Sequence, residues 1–198
     1  WVAQSPRANL AFAWMHLMRA NHEQAFPYLE RLQTLFADPQ RRGQIAREDP
    51  ALEAKWLALQ AMLLNAQGKP LESLNLGQRA LEFTPPQDSQ TLGMIYPTLA
   101  NAYQQKNDYE NALEAFQALI QLGQQGANSV LELVGVSGLA LLALQHGQYH
   151  FAFDIVSQGL ERVERTRSLP PISTALFGEL AVIHYQWHQL EQAHSYFQ

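Results

Sequence analysis

The stretch of sequence that decides the fold runs from Leu99 to Phe116 and reads LANAYQQKNDYENALEAF. At its amino-terminal end, residues of one helical face recur at positions i, i+3, i+4 and i+7, namely Tyr96, Leu99, Ala100 and Tyr103. At its carboxy-terminal end a second amphipathic pattern follows, marked by Ala112, Phe116, Leu119 and Ile120. A short polar turn separates the two patterns. The stretch therefore predicts two antiparallel α-helices joined by a tight turn.

The same helical hairpin recurs along the chain. The small residue that follows each turn stands at Ala25, Ser73, Ala112, Ala152 and Ala193, at intervals of 48, 39, 40 and 41 residues. A small side chain is needed where the backbones of two packed helices approach each other. The near-constant interval predicts an internal repeat whose units bury their apolar faces by stacking on their neighbours.

Glycine and proline mark the ends of the helices. Gly68 and Gly147 stand where a helix is expected to end in a left-handed C-cap, and Pro50, Pro85-Pro86 and Pro170-Pro171 fall between units. Alternating β patterns are missing. The sequence predicts ten helices, the last one cut short, at about 7–20, 23–37, 50–67, 71–83, 91–106, 110–124, 129–146, 150–167, 172–187 and 191–198.

The predicted fold class is therefore all-α, a solenoid of about five antiparallel helix pairs in a right-handed superhelix. We expect a single repeat domain over residues 1–198, with repeats at approximately 6–37, 50–84, 91–124, 129–167 and 171–198. The sequence begins without Met and stops inside a helical pattern, so we expect it to be a fragment of a longer chain.

Composition excludes several classes of function. The formal net charge is -5, and lysine occurs only at Lys55, Lys69 and Lys106, so direct contact with nucleic acid is not expected. Cysteine is absent, which excludes disulfides and thiolate chemistry and fits a cytoplasmic location. The longest apolar run, Leu139 to Leu144, is far too short to span a bilayer. We expect no membrane contact and no cofactor in this segment.

The repeats resemble the tetratricopeptide (TPR) family. The residues that carry the resemblance are Leu99-Ala100, Tyr103, Tyr109 and Ala112, and Ala80-Leu81 followed by Pro85. The family's usual period is about 34 residues. The longer intervals of this chain imply longer helices or longer connections than the standard repeat has.

Within that family, the long-helix units resemble the sensor region of MalT-like transcription activators, the large ATP-binding regulators of the LuxR type. The similarity is greatest at Gly138-Leu139-Ala140, at Gln145 to His150, at Pro170-Pro171, at Leu180-Ala181 and at Tyr185 to Ala193. It extends over about 50–198 and is looser over 1–49. The resemblance implies a parent protein with an NTPase module before this segment and a DNA-binding helix-turn-helix after it. The sequence itself has no phosphate-binding loop.

The resemblance implies a concave groove lined by the first helix of each pair. The candidate ligand or partner residues on that face are Trp14, Met62, Asn65, Asn101, Gln104, Gln105, Leu141, Leu144, Tyr185 and Gln186. Amides both donate and accept hydrogen bonds, so beside apolar groups they suit an uncharged polar ligand or a peptide backbone. An ordinary polar solenoid surface is the alternative. One TPR subclass clamps a peptide carboxylate with basic groove residues, but those positions here hold Pro97, Ser137 and Gly178.

No catalytic or metal site is predicted, and we expect the chain not to be an enzyme. His184 and His188 are four residues apart, with His194 beyond the next turn, a spacing that could hold zinc. However, His184 shares the apolar side of its helix with Leu180 and Ala181, which indicates a packing role. No Ser-His-Asp arrangement or nucleophile elbow is present.

The first connection is predicted to be a solvated loop. It contains Arg41, Arg42 and Arg47, with Glu48 and Asp49 beside them. Contact with an acidic partner is the alternative reading of these arginines.

Two functions follow as hypotheses. The first is a regulatory sensor segment of a MalT-like regulator, which binds a small-molecule inducer or a protein partner. The second is a generic TPR scaffold that takes a partner peptide or helix in its groove.

Overall fold

The computed structural model describes residues 5–19, 21–165 and 169–196. In that part of the chain every regular element is an α-helix, as the sequence predicts. The helices are α1 Pro6–Met18, α2 His22–Ala37, α3 Pro39–Glu48, α4 Ala51–Ala66, α5 Pro70–Glu82, α6 Ser89–Gln105, α7 Tyr109–Gln125, α8 Ser129–Gln145, α9 Tyr149–Glu164, α10 Ser173–Gln186 and α11 Leu190–Ser195. Residues 20, 166–167 and 197–198, where the first, eighth and tenth predicted helices end, lie outside the described residues.

Ten of these helices match the predicted ones, whose ends differ by no more than a few residues. One further helix, α3, was not predicted. It contains Arg41, Arg42 and Arg47, which the sequence was expected to place in a solvated loop, so that prediction is wrong. Asp38 begins α3 as its N-cap, because its side chain accepts hydrogen bonds from the backbone N–H groups of Gln40 and Arg41, and Pro39 occupies the first helical position.

The prediction failed because α3 carries little helical periodicity. Ile45 is the one residue of α3 that is buried, so no apolar stripe marks the helix in the sequence. Arg42 forms a two-pronged ion pair with Glu53 of α4, with Nη2 2.6 Å from Oε1 and Nε 3.1 Å from Oε2. The inserted helix also explains why the first repeat interval is longer than the other three.

The chain divides into two compact units, residues 1–106 and 107–198. In the first unit, α1 packs on α2, α4 packs on α5, and the first helices α1, α4 and α6 lie in sequence against one another. Buried side chains of α1 to α4 form its core, with Leu32 and Leu59 fully enclosed. Aromatic side chains fill part of this core, where the rings of Phe36 and Trp56 stack 4.6 Å apart.

In the second unit, α7 packs on α8, α8 on α9, and α10 on α8, α9 and α11. Its core includes Leu133, Val136, Val156, Leu176 and Ile183. Glycines let some of these helices approach at backbone distance. A Cβ atom on Gly123 would overlap the backbone of Glu132, and one on Gly138 would overlap the ring of Phe116.

The small residues that follow the turns are all buried, between 0 and 6% exposed: Ala25, Ser73, Ala112, Ala152 and Ala193. The predicted left-handed caps are confirmed as well, since φ is +72° at Gly68 and +71° at Gly147. Three other turn residues, Asn107, Ala127 and His188, adopt the same conformation without being glycine. Each of these five residues stands two positions before the next helix begins.

Candidate ligand and partner surfaces

The ten predicted groove residues fall into both units. Trp14, Met62, Asn65, Asn101, Gln104 and Gln105 belong to the first, while Leu141, Leu144, Tyr185 and Gln186 belong to the second. All ten lie on the first helix of a pair: α1, α4, α6, α8 or α10.

In the first unit, two of the predicted amides bind each other. Gln105 Nε2 donates a hydrogen bond to Asn65 Oδ1 over 2.7 Å, and Asn65 Nδ2 donates to the backbone oxygen of Thr98 over 3.5 Å. These contacts join the carboxy-terminal halves of α4 and α6. Asn101, one turn before Gln105 on α6, is exposed, and Gln104 is half-buried. The amides therefore form a polar strip whose members Asn65 and Gln105 are already partly satisfied.

Trp14 lies at a cavity of about 290 Å³ in the first unit. Its wall is built from α1, α4 and α6 together with Asp49, the residue that follows α3. We call this space the first-unit cavity. Its lining residues are Arg7, Leu10, Ala11, Trp14, Asp49, Leu52, Lys55, Leu59, Gln90 and Met94. Trp14 is the only predicted site residue among them. Met62 instead packs, half-buried, against the core of the unit.

The charges of the first-unit cavity are unequal. Arg7 Nε lies 2.9 Å from Asp49 Oδ2, so these two charges offset each other. Lys55 is half-buried, and among the described residues no carboxylate lies within ion-pair distance of its ammonium. The cavity therefore has one unpaired positive charge in a chain whose net charge is negative.

A signal for this cavity was present in the sequence. Leu52, Lys55 and Leu59 stand at i, i+3 and i+7, which places a cation on an apolar face of α4. A lysine at such a position brings its charge to the edge of apolar surface. Lys55 is absent from the predicted groove residues because lysine was taken only as a sign of nucleic-acid binding.

In the second unit, the predicted groove residues are mostly exposed and apolar. Leu141 is 47% exposed and Tyr185 is 61% exposed, and Val182 on the same helix as Tyr185 is 46% exposed. We call these three residues the second-unit apolar patch. Gln186 is exposed beside Tyr185, whereas Leu144 is half-buried against the core of the unit.

A buried carboxyl group lies beneath this patch, between α8 and α10. Ser137 Oγ donates a hydrogen bond to Glu179 Oε1 over 2.5 Å, and the second carboxyl oxygen, Oε2, is buried without a hydrogen-bond partner. Burial raises the pKa of Glu179 to about 7, and the hydrogen bond from Ser137 acts in the opposite direction. Ser137, a groove position in the TPR resemblance, is thus buried rather than open to a ligand.

Other charges near α10 do not offset this burial. Glu132 of α8 pairs with Arg162 of α9, whose Nε lies 2.7 Å from Glu132 Oε1. The remaining ionisable side chains of the helices packed on α10 stand on exposed or half-exposed faces, including Asp154 and Glu191. Glu179 could not be predicted as a buried group, because nothing in its spacing distinguishes it from a surface glutamate.

The histidines considered as zinc ligands lie in an aromatic cluster. His184 stacks on Tyr196 at 5.6 Å and meets Trp187 edge to face at 5.7 Å, and its Nδ1 lies 2.6 Å from Gln189 Oε1. His188 occupies the following turn and is exposed. Over the described ranges, no three His, Asp or Glu side chains come close enough together to hold a metal ion. None of the described helices is both long and apolar enough to cross a membrane.

Comparison with known proteins gives the family of these repeats. The family described as the MalT-like TPR region matches residues 54–198. No curated protein matches the chain at a significant level.

Solved structures share the fold at low sequence identity. The apo form of RapI is 14% identical, with a TM-score of 0.74 over 97% of this chain and 67% of its own. BtubC (BKLC) from P. vanneervenii is 18% identical, with a TM-score of 0.65 over 85% of this chain and 70% of its own. The TPR-like repeats of a putative kinesin light chain from Podosopora anserina are 18% identical, with a TM-score of 0.64 over 98% of this chain and 93% of their own.

Proposed function

The chain belongs to the MalT-like TPR family, and on that premise we propose that it is the sensor segment of a MalT-like transcription regulator of the LuxR type. In this role it binds a small-molecule inducer or a protein partner. The bound form then biases the ATP-binding and DNA-binding modules of the parent protein. TPR repeats are protein-interaction scaffolds that typically carry no catalysis of their own, and this chain has that fold.

The observation that carries the sensor proposal is the first-unit cavity. Sites for small molecules are mostly apolar concavities of about 300–1,000 Å³ with a few polar groups that fix orientation. The cavity, at about 290 Å³, is close to the lower end of that range. Leu10, Trp14, Leu52, Leu59 and Met94 supply its apolar wall.

The position of this cavity suits a sensor because three successive first helices form its wall. A ligand seated there contacts α1, α4 and α6 at once. It therefore favours the arrangement of these helices in which all three contacts are made. A ligand shifts a conformational equilibrium only by its difference in affinity for the two states, and a site shared by several helices is one way to create such a difference.

The test of the sensor function is made in the full-length parent. Its gene is expected to encode a phosphate-binding loop before this segment and a helix-turn-helix after it. Transcription from the parent's target promoter is then measured against inducer concentration. Gln90→Ala, which removes the amide from the lining of the first-unit cavity, is expected to shift the dose–response curve several-fold, since a lost hydrogen bond costs about 0.5–1.5 kcal/mol.

The matched control is Gln117→Ala, which removes an exposed amide from α7 and is expected to leave the curve unchanged. An unchanged curve for Gln90→Ala would exclude the amide of the first-unit cavity from the inducer site. A parent gene without either flanking module would end the regulator proposal. A lost response together with a lowered melting temperature would indicate damage to the fold, so melting curves of all variants are recorded.

A plain scaffold is the second candidate, and the second-unit apolar patch favours it. Exposed apolar side chains that share one face are typical of surfaces that bind a partner. Leu141 on α8 lies one turn after Ser137, and Val182 on α10 lies about one turn after Glu179, so contact between Ser137 and Glu179 brings the two apolar residues to neighbouring turns. Leu141→Ser combined with Val182→Ser is expected to abolish partner capture under this function while leaving inducer response unchanged.

A further inference from the structure

We propose that the first-unit cavity binds a small amphipathic carboxylate, whose apolar part packs against Trp14 and whose carboxylate pairs with Lys55. This inference rests on the proposed sensor function and specifies the chemical class of its ligand. It concerns residues of α1, α4 and α6 that the sequence analysis, apart from Trp14, did not identify.

The sign of the ligand's charge follows from the ions at the cavity. Arg7 and Asp49 neutralise each other, so of the described lining residues Lys55 alone determines the net charge, which is positive. A cationic ligand would meet that charge without compensation. Water that a ligand displaces from the Lys55 ammonium is compensated only when an anion takes its place.

The size of that charge follows from the single unpaired cation. A phosphate monoester carries close to two negative charges at neutral pH. At this wall one of those two charges would have no partner. A single carboxylate matches the one available cation. A monoanion is therefore the better complement to this cavity.

The rest of the wall determines the apolar part. Five large apolar side chains line the cavity, and Gln90 is the one amide among the described lining residues. A polyhydroxylated ligand would lose hydrogen bonds to water that this wall cannot replace. A flat or branched hydrocarbon group instead gains contact with the indole of Trp14 and the thioether of Met94. The ligand is thus an aryl or alkyl carboxylic acid of modest size.

Three lysines in the whole sequence make a direct experiment practical. Reductive methylation of the 198-residue chain with ¹³C-formaldehyde keeps the lysine charge and gives separate NMR signals for Lys55, Lys69 and Lys106, assigned with single Lys→Arg variants. The probes are 4-phenylbutyrate and its uncharged amide, 4-phenylbutyramide. A fragment of this size is expected to bind with Kd of about 1 mM.

The expected result is a saturable shift of the Lys55 signal with the acid, while the Lys69 and Lys106 signals stay in place. Lys55→Gln is expected to raise Kd for the acid about three- to tenfold and to leave the amide unaffected. Lys69→Gln, an exposed lysine of the same unit, is the matched control and leaves both affinities unchanged. Equal affinity for acid and amide, or equal shifts at all three lysines, would overturn the proposal.

A second variant tests the cavity without removing any of its wall. Ala11 lines the cavity and is exposed, so Ala11→Phe is expected to fill the space and abolish binding at an unchanged melting temperature. Ala66→Phe, at the exposed end of α4, is its control. Undiminished binding to Ala11→Phe would place the ligand elsewhere, and tighter binding by a peptide ending in phenylalanine would overturn the small-molecule assignment.

The experiments distinguish a failure of the ligand-class proposal from a failure of the proposed sensor function. Binding of the acid by the isolated chain, with no transcriptional response of the parent, would reject the sensor function and keep the ligand class. A transcriptional response that survives Ala11→Phe would keep the sensor function and reject this site.

Discussion

The two units build the same helical hairpin with different spacers between the helices. In the second unit, Gly123 and Gly138 bring neighbouring elements together so closely that a single added carbon would overlap them. In the first unit, a Cβ atom on Gly77 would overlap only the side chain of Leu99. The rings of Phe36 and Trp56 stack between α2 and α4, and the helices α1, α4 and α6 line a cavity. Helices that pack through their side chains can leave room for a ligand between them, whereas helices whose backbones touch are fixed at one distance.

The largest expected effect is on the buried small residues of the second unit. Ala112→Phe or Ala152→Phe is expected to lower the free energy of unfolding by about 3 kcal/mol or more, because both positions are completely buried between helices. Gln117→Phe, at an exposed position of α7, serves as the control. Chemical denaturation measures all three, and equal stabilities would show that the close packing described for this unit is wrong.

The next effect is a change of the free energy of unfolding with pH, which reports on the buried carboxyl group of Glu179 in the second unit. The pKa of Glu179 is raised to about 7 in the folded chain, above the ordinary value of 4.5. The folded state therefore holds the proton more tightly than the unfolded state. The resulting stability is complete below pH 4.5 and is lost as pH rises through 7, a change of about 3 kcal/mol.

Glu179→Gln removes this dependence, because the amide oxygen can still accept from Ser137 but cannot ionise. The variant is expected to be more stable than the native chain at pH 8 and of similar stability at pH 4.5, as measured by urea denaturation at both values. A variant that is less stable than the native chain at pH 8 would contradict the raised pKa.

A smaller effect compares the two units directly through their glycines. Gly123→Ala places a carbon against the backbone of Glu132 and is expected to cost about 2 kcal/mol. Gly77→Ala in the first unit meets the end of the Leu99 side chain, which can move, and is expected to cost less than about 1 kcal/mol. Gly178→Ala has open space and is expected to stabilise α10 by about 0.5–1 kcal/mol. The reverse order for Gly77 and Gly123 would refute the distinction between the units.

The smallest effect is expected at an exposed ion pair of the first unit, which is compared with a partly buried pair of the second. Arg162→Met leaves the largely buried Glu132 carboxylate without its cation and is expected to cost about 1–2 kcal/mol. Arg7→Met breaks a pair whose arginine side chain is 70% exposed and is expected to cost less than about 0.5 kcal/mol. Thermal denaturation at low and high salt distinguishes them, since salt screens the exposed pair more strongly.

Much of the fold could be predicted because the same helix–turn–helix pattern recurs in each repeat. The spacing of Ala112, Ala152 and Ala193 and the turn glycines determine where helices begin and end, and these positions are confirmed. Helix α3 could not be predicted from periodicity, since Ile45 alone enters the core. Its signal was local instead, in the cap Asp38 and the following Pro39.

The candidate site could be predicted only in part for a geometric reason. Trp14 was identified because one helix pattern contains it, but the first-unit cavity combines residues from three helices separated by up to about ninety positions. Periodicity describes one helix at a time and does not say which faces meet. The burial of Glu179 has the same origin, because it depends on the contact of α10 with Ser137 of α8.

The left-handed turns have a consequence for protein engineering. Ala127 and His188 adopt a conformation that costs a residue with a Cβ atom about 1 kcal/mol or more relative to glycine. Both positions are exposed and belong neither to the first-unit cavity nor to the Glu179 site. Glycine at these two sites would give a designer a margin of stability that leaves ligand recognition untouched. That added stability could offset the cost of mutations that reshape the cavity into a biosensor for a chosen carboxylate.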